Sequence, residues 1–187
     1  MSDEFLGDRK KALEESFFAK QNAALLEKMR AEREKEAAIE SLARTSRIDD
    51  REILEKLVDL GIDAATWAAL SLVPLVEVAW ADGDVKDKER AAVLAAAQEQ
   101  GIDSGTPSHA LLESWLGTRP GPALFASWGG YATELAANLS PAERSALHRD
   151  IADRAFAVAR AAGGILGVGS ISEAEKLVLD ALGKPFA

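Results

Sequence analysis

The chain has no cysteine, and its 187 residues include only two histidines and one tyrosine. Without cysteine, disulfide bridges, thiol catalysis and thiolate metal sites are excluded. An excess of basic residues is missing as well, since the net charge is −9 and the isoelectric point is about 4.8. Binding to phosphate backbones needs a basic surface, so this charge argues against nucleic acid as a main partner.

Residue patterns typical of catalytic sites are also missing from the sequence. His109 and His148 lie in no recognisable pattern with a partner side chain. Ser127 and Ser170 lack the surroundings of a nucleophile elbow, and no lysine follows Gly163-Gly164 at the spacing of a phosphate-binding loop. We therefore expect a protein that is not an enzyme.

Aromatic residues make up only 6% of the chain, whereas hydrophobic residues make up 48% and are mostly alanine and leucine. This balance favours helices over strands, because strands prefer β-branched and aromatic residues. The most apolar stretch is bracketed by Asp63 and Glu77 and is shorter than the roughly 20 residues that a bilayer requires. Residues 1–11 are charged and lack the apolar core of a signal peptide, so we expect a cytoplasmic protein.

Residues 1–46 form a charged segment that we predict to be a long helical N-terminal arm, followed by one domain over 47–187. Apolar residues recur in the arm at approximately helical spacing, among them Phe17, Phe18, Leu25 and Met29, until a charged run at 30–36 interrupts them. One interpretation is a helix that docks or self-associates through this apolar side. The other is an arm that binds a partner protein through the same four residues. The sequence leaves open whether the arm is free or docked.

A short part of the arm suggests a third interpretation. Residues 8–17 read Asp-Arg-Lys-Lys-Ala-Leu-Glu-Glu-Ser-Phe, and this segment resembles the start of the bacterial ATP-synthase zeta inhibitors. The resemblance implies a regulator that acts on an ATPase-like complex through its N-terminal arm.

The rest of the chain carries repeated helix-start and helix-stop signals. Ser140-Pro141-Ala142-Glu143 and Ser172-Glu173-Ala174-Glu175 are capping boxes, and Gly61 and Gly101 are expected to end helices. Pro74 is expected to bend an apolar helix over 64–81, because it cannot donate the hydrogen bond to the Leu70 carbonyl. Further helices are predicted at about 51–60, 87–100, 110–116, 123–138, 141–162 and 173–182.

Four carboxylates, Asp82, Asp84, Asp87 and Glu89, lie at a glycine turn between two predicted helices. The stretch reads Val78-Ala79-Trp80-Ala81-Asp82-Gly83-Asp84-Val85-Lys86-Asp87-Lys88-Glu89. Hard cations such as Ca²⁺ take several oxygen ligands, so Asp82, Asp84 and Glu89 are candidate metal ligands. The spacing is not that of an EF-hand, because Lys86 and Val93 fall at ligand positions. Alternatively the three residues only cap helices, since a helix N-terminus stabilises a carboxylate by about 0.3–1 kcal/mol without an ion. Both interpretations are open.

The same stretch resembles the TerB-like (tellurite-resistance) superfamily, whose helical hairpins carry the pattern Ala-x-Ala-Asp-Gly-x-Val-x-x-x-Glu, met here from Ala79 to Glu89. A weaker second copy begins at Ala159 and ends at Ile171 and Glu175, so the resemblance covers roughly residues 52–185. It implies an all-α helical bundle with two pseudo-repeated helix-turn-helix elements that face each other. Gly163 replaces the aspartate of the second copy, and Lys86 replaces the usual Ser or Thr, so a paired acidic site is expected to be at best half present.

This resemblance implies a non-enzymatic stress-response or scaffold module that acts through protein–protein binding and needs no cofactor. The first alternative is a divalent-cation sensor in which Asp82, Asp84 and Glu89 bind Ca²⁺. The second is a regulator of an ATPase-like complex that acts through the arm. A homo-oligomer formed through the arm is compatible with each of these, and the sequence does not identify a partner.

Overall fold

The computed structural model describes residues 2–162 and 171–187, with side chains described for residues 17–161 and 171–187. These ranges contain eight α-helices and no strand: α1 (Ser2–Ser46), α2 (Arg51–Asp59), α3 (Val73–Ala79), α4 (Asp87–Glu99), α5 (Pro107–Gly117), α6 (Pro122–Ala137), α7 (Pro141–Ala162) and α8 (Glu173–Leu182). Two 3₁₀ segments, Trp67–Leu72 and Lys184–Phe186, complete the described structure. The predicted all-α class is confirmed for this part of the chain.

The helix ends follow the capping signals of the sequence. Asp50 begins α2, because its side chain accepts hydrogen bonds from the backbone N–H groups of Glu52 and Ile53 at 2.8 and 3.2 Å. After α2, Gly61 takes a φ of +80°, and the Ile62 N–H donates to the Leu57 carbonyl at 3.0 Å. This left-handed ending satisfies a carbonyl of the last turn, as the glycine predicts.

The apolar stretch around Pro74 differs from the prediction of one bent helix over 64–81. The structure has the 3₁₀ segment Trp67–Leu72, followed directly by the short helix α3. Pro74 lies in the first turn of α3, where a backbone N–H has no partner within the helix, so its missing donor costs little. The proline therefore starts a helix instead of bending one.

Helix α3 lies at the centre of the fold. Most of its side chains are buried, including Val73, Leu75, Val76 and Val78, each at most 1% exposed. It contacts α4, α6, α7 and α8, while α7 also packs along α4 and against α8. The hairpin of α3 and α4 thus lies against α7 and α8, and this contact positions the acidic turn.

Among the residues of α1 whose side chains are described, 17–46, those near the C-terminus dock on the domain. Ile39 and Leu42 belong to the core at 4% and 0% exposure. Beside them, Lys35 Nζ lies 2.5 Å from the Asp59 carboxylate, and Arg51 donates to both oxygens of Glu36 at 2.6 and 2.9 Å. Residues 17–34 are all exposed. At about 1.5 Å per residue, Phe18 lies roughly 25 Å beyond Lys35, where the docked part begins.

None of the helices within the described ranges combines the length and the apolar character that a membrane crossing requires.

Candidate functional site

Two hydrogen bonds fix the position of the turn between α3 and α4. Gly83 has a φ of +99°, and its N–H donates to the Trp80 carbonyl at 3.0 Å. The indole N–H of Trp80 donates to the Trp115 carbonyl at 2.8 Å, which fixes the end of α3 against α5. A β-carbon is rarely tolerated at this φ, so the sharp reversal requires glycine.

The two aspartates of the turn lie at its exposed edge. Lys86 Nζ donates to Asp82 Oδ2 at 2.5 Å. This hydrogen bond lowers the pKa of Asp82 and raises the pKa of Lys86. An oxygen of the candidate ligand Asp82 is therefore already bound by a cation that the chain itself supplies. Asp84 is exposed.

Glu89 lies in a different environment, because its side chain is only 1% exposed. The Lys86 N–H donates to Glu89 Oε2 at 2.8 Å, which is one half of a capping box. The other half is missing, since a lysine side chain has no acceptor. Burial raises the pKa of Glu89, the Lys86 N–H opposes this increase, and the nearby charges of Asp82 and Glu175 add to it.

Glu175 joins this group from the other hairpin, at the N-terminus of α8. It is 4% exposed and accepts the Ser172 N–H at 2.5 Å, while its own N–H donates to Ser172 Oγ at 3.1 Å. Its negative charge adds to the rise in the pKa values of both Glu89 and Lys86. The predicted site did not include Glu175, although the sequence holds the signal: it follows Ile171 by four residues, as Glu89 follows Val85.

The candidate ligands Asp82, Asp84 and Glu89 thus divide between an ion pair, an exposed turn position and a buried helix cap. In the described part of the chain, no three His, Asp or Glu side chains are grouped so that they could hold a metal ion. The geometry shown is that of helix capping with an internal ion pair. Gly163, where the second copy lacks its aspartate, lies outside the described residues.

The candidate partner-binding residues of the arm are exposed. Phe17, Phe18 and Leu25 are 57%, 60% and 57% exposed, and Met29 is 42% exposed. The rings of Phe17 and Phe18 meet edge to face, with their centroids 6.0 Å apart. Leu26, at 57% exposure, widens the apolar surface beyond these four residues.

No protein-family model, curated protein or solved structure matches this chain. The TerB-like resemblance therefore depends on the residues of the two hairpin motifs, and function must be argued from the acidic turn and the arm.

Proposed function

We propose that the protein is a non-enzymatic TerB-like helical module of the stress-response or scaffold kind, and that it acts by binding another protein through the apolar side of α1. The observation that carries this proposal is the exposure of Phe17, Phe18, Leu25, Leu26 and Met29 on one projecting segment. Clusters of exposed large apolar side chains commonly mark interaction sites, whereas single ones need no explanation.

The base of the arm suits this role. The contacts of Lys35 and Glu36 with α2, and the burial of Ile39 and Leu42, hold the C-terminal part of α1 on the domain. A helix fixed at one end presents its apolar side in a defined direction, which reduces the entropy lost on binding. The contact between the two hairpins is compatible with the TerB-like architecture.

The experiment is crosslinking in cells followed by mass spectrometry of the captured proteins. Point variants are required, because deleting residues 1–46 would also remove Ile39 and Leu42 from the core. The F17S/F18S double variant is expected to lose the captured partner. Leu177→Ser is the matched control, because Leu177 is 71% exposed on α8, away from the arm. Equal capture by wild type and both variants would overturn the proposal.

The exposed arm also favours one second candidate, a regulator of an ATPase-like complex. The segment 8–17, which resembles the zeta inhibitors, belongs to the projecting part of α1 and ends at the exposed Phe17. The test is ATP hydrolysis by the ATP synthase of the organism that encodes this chain. Wild type is expected to reduce hydrolysis and the F17S/F18S variant to leave it unchanged. No change with either protein would remove this candidate.

A further inference from the structure

A small pocket lies between the 3₁₀ segment Trp67–Leu72, the C-terminal end of α4 and the middle of α6. It has a volume of about 230 Å³, and its wall includes Trp67, Leu70, Ser71, Gln100, Ile102 and Tyr131. Leu70 and Ile102 are its buried apolar part, at 1% and 4% exposure. Among the described residues, no charged side chain belongs to this wall. Pockets for drug-sized ligands measure roughly 300–1,000 Å³, so this one suits a smaller molecule.

Local backbone structure places the wall residues together. In a 3₁₀ helix residues i and i+3 lie on the same side, so Trp67 and Leu70 face the same way. At the end of α4, Gly101 has a φ of +78°, and the Ile102 N–H donates to the Ala97 carbonyl at 2.9 Å. This left-handed turn brings Ile102 back over the last turn of α4, where it closes one side of the pocket.

Two aromatic rings form another side of the pocket. The ring centroids of Trp67 and Tyr131 are 5.0 Å apart, and the ring planes meet at 79°. The face of an aromatic ring carries partial negative charge, and cages of several such rings bind quaternary ammonium groups. Trp67 and Tyr131 therefore supply two walls of a cage of this kind.

The charges around the pocket favour a cation. Glu134 follows Tyr131 by three residues on α6, so the two side chains are neighbours on the helix surface. Glu134 Oε2 is buried without a hydrogen-bond partner among the described residues. Burial raises the pKa of Tyr131, and the charge of Glu134 adds to the rise. The last turn of α4 holds Glu99 and no basic residue, and this end of a helix carries partial negative charge.

The pocket also contains a hydrogen-bond donor that lacks an acceptor. The Ser71 hydroxyl donates to Gln100 Oε1 at 2.9 Å. Gln100 Nε2, on the same amide, is buried and has no acceptor within the described ranges. A buried donor without a partner is unfavourable, so an oxygen atom of a ligand would stabilise it.

We propose that this pocket binds a small quaternary ammonium compound that carries an oxygen acceptor, of which choline is the simplest example. The ammonium group lies against Trp67 and Tyr131 and near the Glu134 carboxylate, and the oxygen accepts from Gln100 Nε2. This site goes beyond the proposed function and does not depend on it, because the exposed part of the arm contributes no residue to the pocket.

The experiment titrates ¹⁵N-labelled protein with choline chloride at constant ionic strength. The indole N–H signal of Trp67, identified with Trp67→Phe, is expected to shift and to reach half-saturation on the order of 1 mM. The signal of Trp80, whose indole N–H is bonded to the Trp115 carbonyl, is the internal control. The neutral isostere 3,3-dimethyl-1-butanol, with carbon in place of nitrogen, is expected to bind at least about fivefold more weakly.

Phosphocholine distinguishes a free ligand from a lipid headgroup, because it carries the same ammonium group joined to a phosphate. The phosphate adds negative charge beside Glu99 and Glu134, so weaker binding than that of choline is expected. Tighter binding than that of choline would overturn the assignment of a free small molecule.

Variants test each part of the pocket separately. Gln100→Leu should weaken choline about threefold or more and leave tetramethylammonium, which has no oxygen, unchanged. Tyr131→Leu and Glu134→Gln should each weaken both cations about fivefold, whereas Tyr131→Phe keeps the ring and should retain binding. Glu173→Gln is the control for a lost negative charge, because Glu173 is 88% exposed on α8, away from the pocket.

Three outcomes would overturn the inference. The first is the absence of a saturable shift of the Trp67 signal with choline. The second is equal affinity for choline and its neutral isostere, which would show an apolar pocket without preference for a cation. The third is unchanged choline affinity in both Glu134→Gln and Tyr131→Leu, with the helical circular dichroism of wild type. If Tyr131→Leu does not fold, Glu134→Gln against Glu173→Gln decides the third outcome.

Discussion

The arm and the acidic turn differ in which of their side chains are exposed and which are buried. The arm exposes large apolar side chains, with Phe18 at 60% and Leu25 at 57%. At the acidic turn the reverse holds, because Glu89 and, from the other hairpin, Glu175 are almost completely buried carboxylates. The polar contacts of the projecting part of the arm include the exposed ion pair Lys28–Glu32, at 3.8 Å. Each of the two buried carboxylates instead accepts a backbone N–H.

This difference separates a region that stabilises the fold from the region that we propose to bind a partner. A buried carboxylate is costly unless hydrogen bonds satisfy it, and here it caps the helix that carries it. An exposed Phe or Leu adds little to the stability of its own chain, so a cluster of them is best explained by another surface. The acidic turn therefore caps helices of the fold, and the arm is the region that we propose to meet a partner.

The largest expected effect contrasts two leucines of the same helix. Leu42 is fully buried where α1 docks, whereas Leu25 is 57% exposed in the projecting part. Leu42→Ala should lower the free energy of unfolding by about 2–5 kcal/mol, because it leaves a cavity in the core. Leu25→Ala should change that free energy by no more than about 0.5 kcal/mol.

Urea denaturation at a concentration where the protein is monomeric measures both leucine variants. Similar losses for Leu42→Ala and Leu25→Ala would contradict the division of α1 into a docked and a projecting part.

The second prediction tests whether Glu89 stabilises the fold by accepting the Lys86 N–H or through its negative charge. Glu89→Leu removes the acceptor of the Lys86 N–H, and an unsatisfied buried donor costs about 1–3 kcal/mol. Glu89→Gln keeps a carbonyl acceptor in nearly the same shape, so we expect a change below about 1 kcal/mol. Thermal and urea unfolding measure both variants. If the glutamine variant loses as much as the leucine variant, the negative charge itself is needed.

The pH dependence of Glu89→Gln makes this test more specific. Burial raises the pKa of Glu89 above its ordinary value of 4.5, so the folded protein holds this proton more tightly than the unfolded chain does. The favourable contribution of Glu89 is therefore present at low pH and decreases as pH rises through the interval above 4.5. Glutamine cannot ionise, so wild type should lose stability relative to Glu89→Gln as the pH rises above 4.5. An opposite slope would mean that the ionised carboxylate is stabilised.

The sequence was informative where a local chemical rule decides the structure. The capping residues Ser172 and Glu175 and the left-handed Gly61 each follow from a backbone group that needs a partner or from a φ that needs glycine. Pro74 was the exception, because a proline without its tertiary context can either bend a helix or begin one.

The approach of Glu175 to Glu89 was not predicted, because it depends on how two hairpins distant in sequence pack. The docking of α1 was left open for a similar reason. Charged residues at 30–36 interrupt the apolar side of the arm, and only the tertiary contacts of Lys35 and Glu36 show where docking begins.

The smallest expected effect concerns a divalent cation at the turn. In the wild type, Lys86 Nζ is bonded to Asp82, and the charges of Glu89 and Glu175 add to the rise in its pKa, so its positive charge already offsets the acidic group. We expect Ca²⁺ near 1 mM, the range of weak sites, to give no calorimetric heat and no change in melting temperature. Heat of binding to wild type would instead support the cation-sensor alternative.

Lys86→Ser sharpens this test, because it removes the internal cation and restores the residue type that the TerB-like pattern carries at this position. The exposed Lys86–Asp82 pair contributes at most about 1 kcal/mol, so the variant should still fold. Without the lysine, Asp82, Glu89 and Glu175 leave an uncompensated negative charge, and Ca²⁺ should now raise the melting temperature by about 2–4 °C per kcal/mol of binding energy. If Ca²⁺ leaves the melting temperature of the variant unchanged, as expected for wild type, the capping hydrogen bonds of the buried carboxylates prevent them from coordinating an ion. Lys86 then serves only as the partner of Asp82.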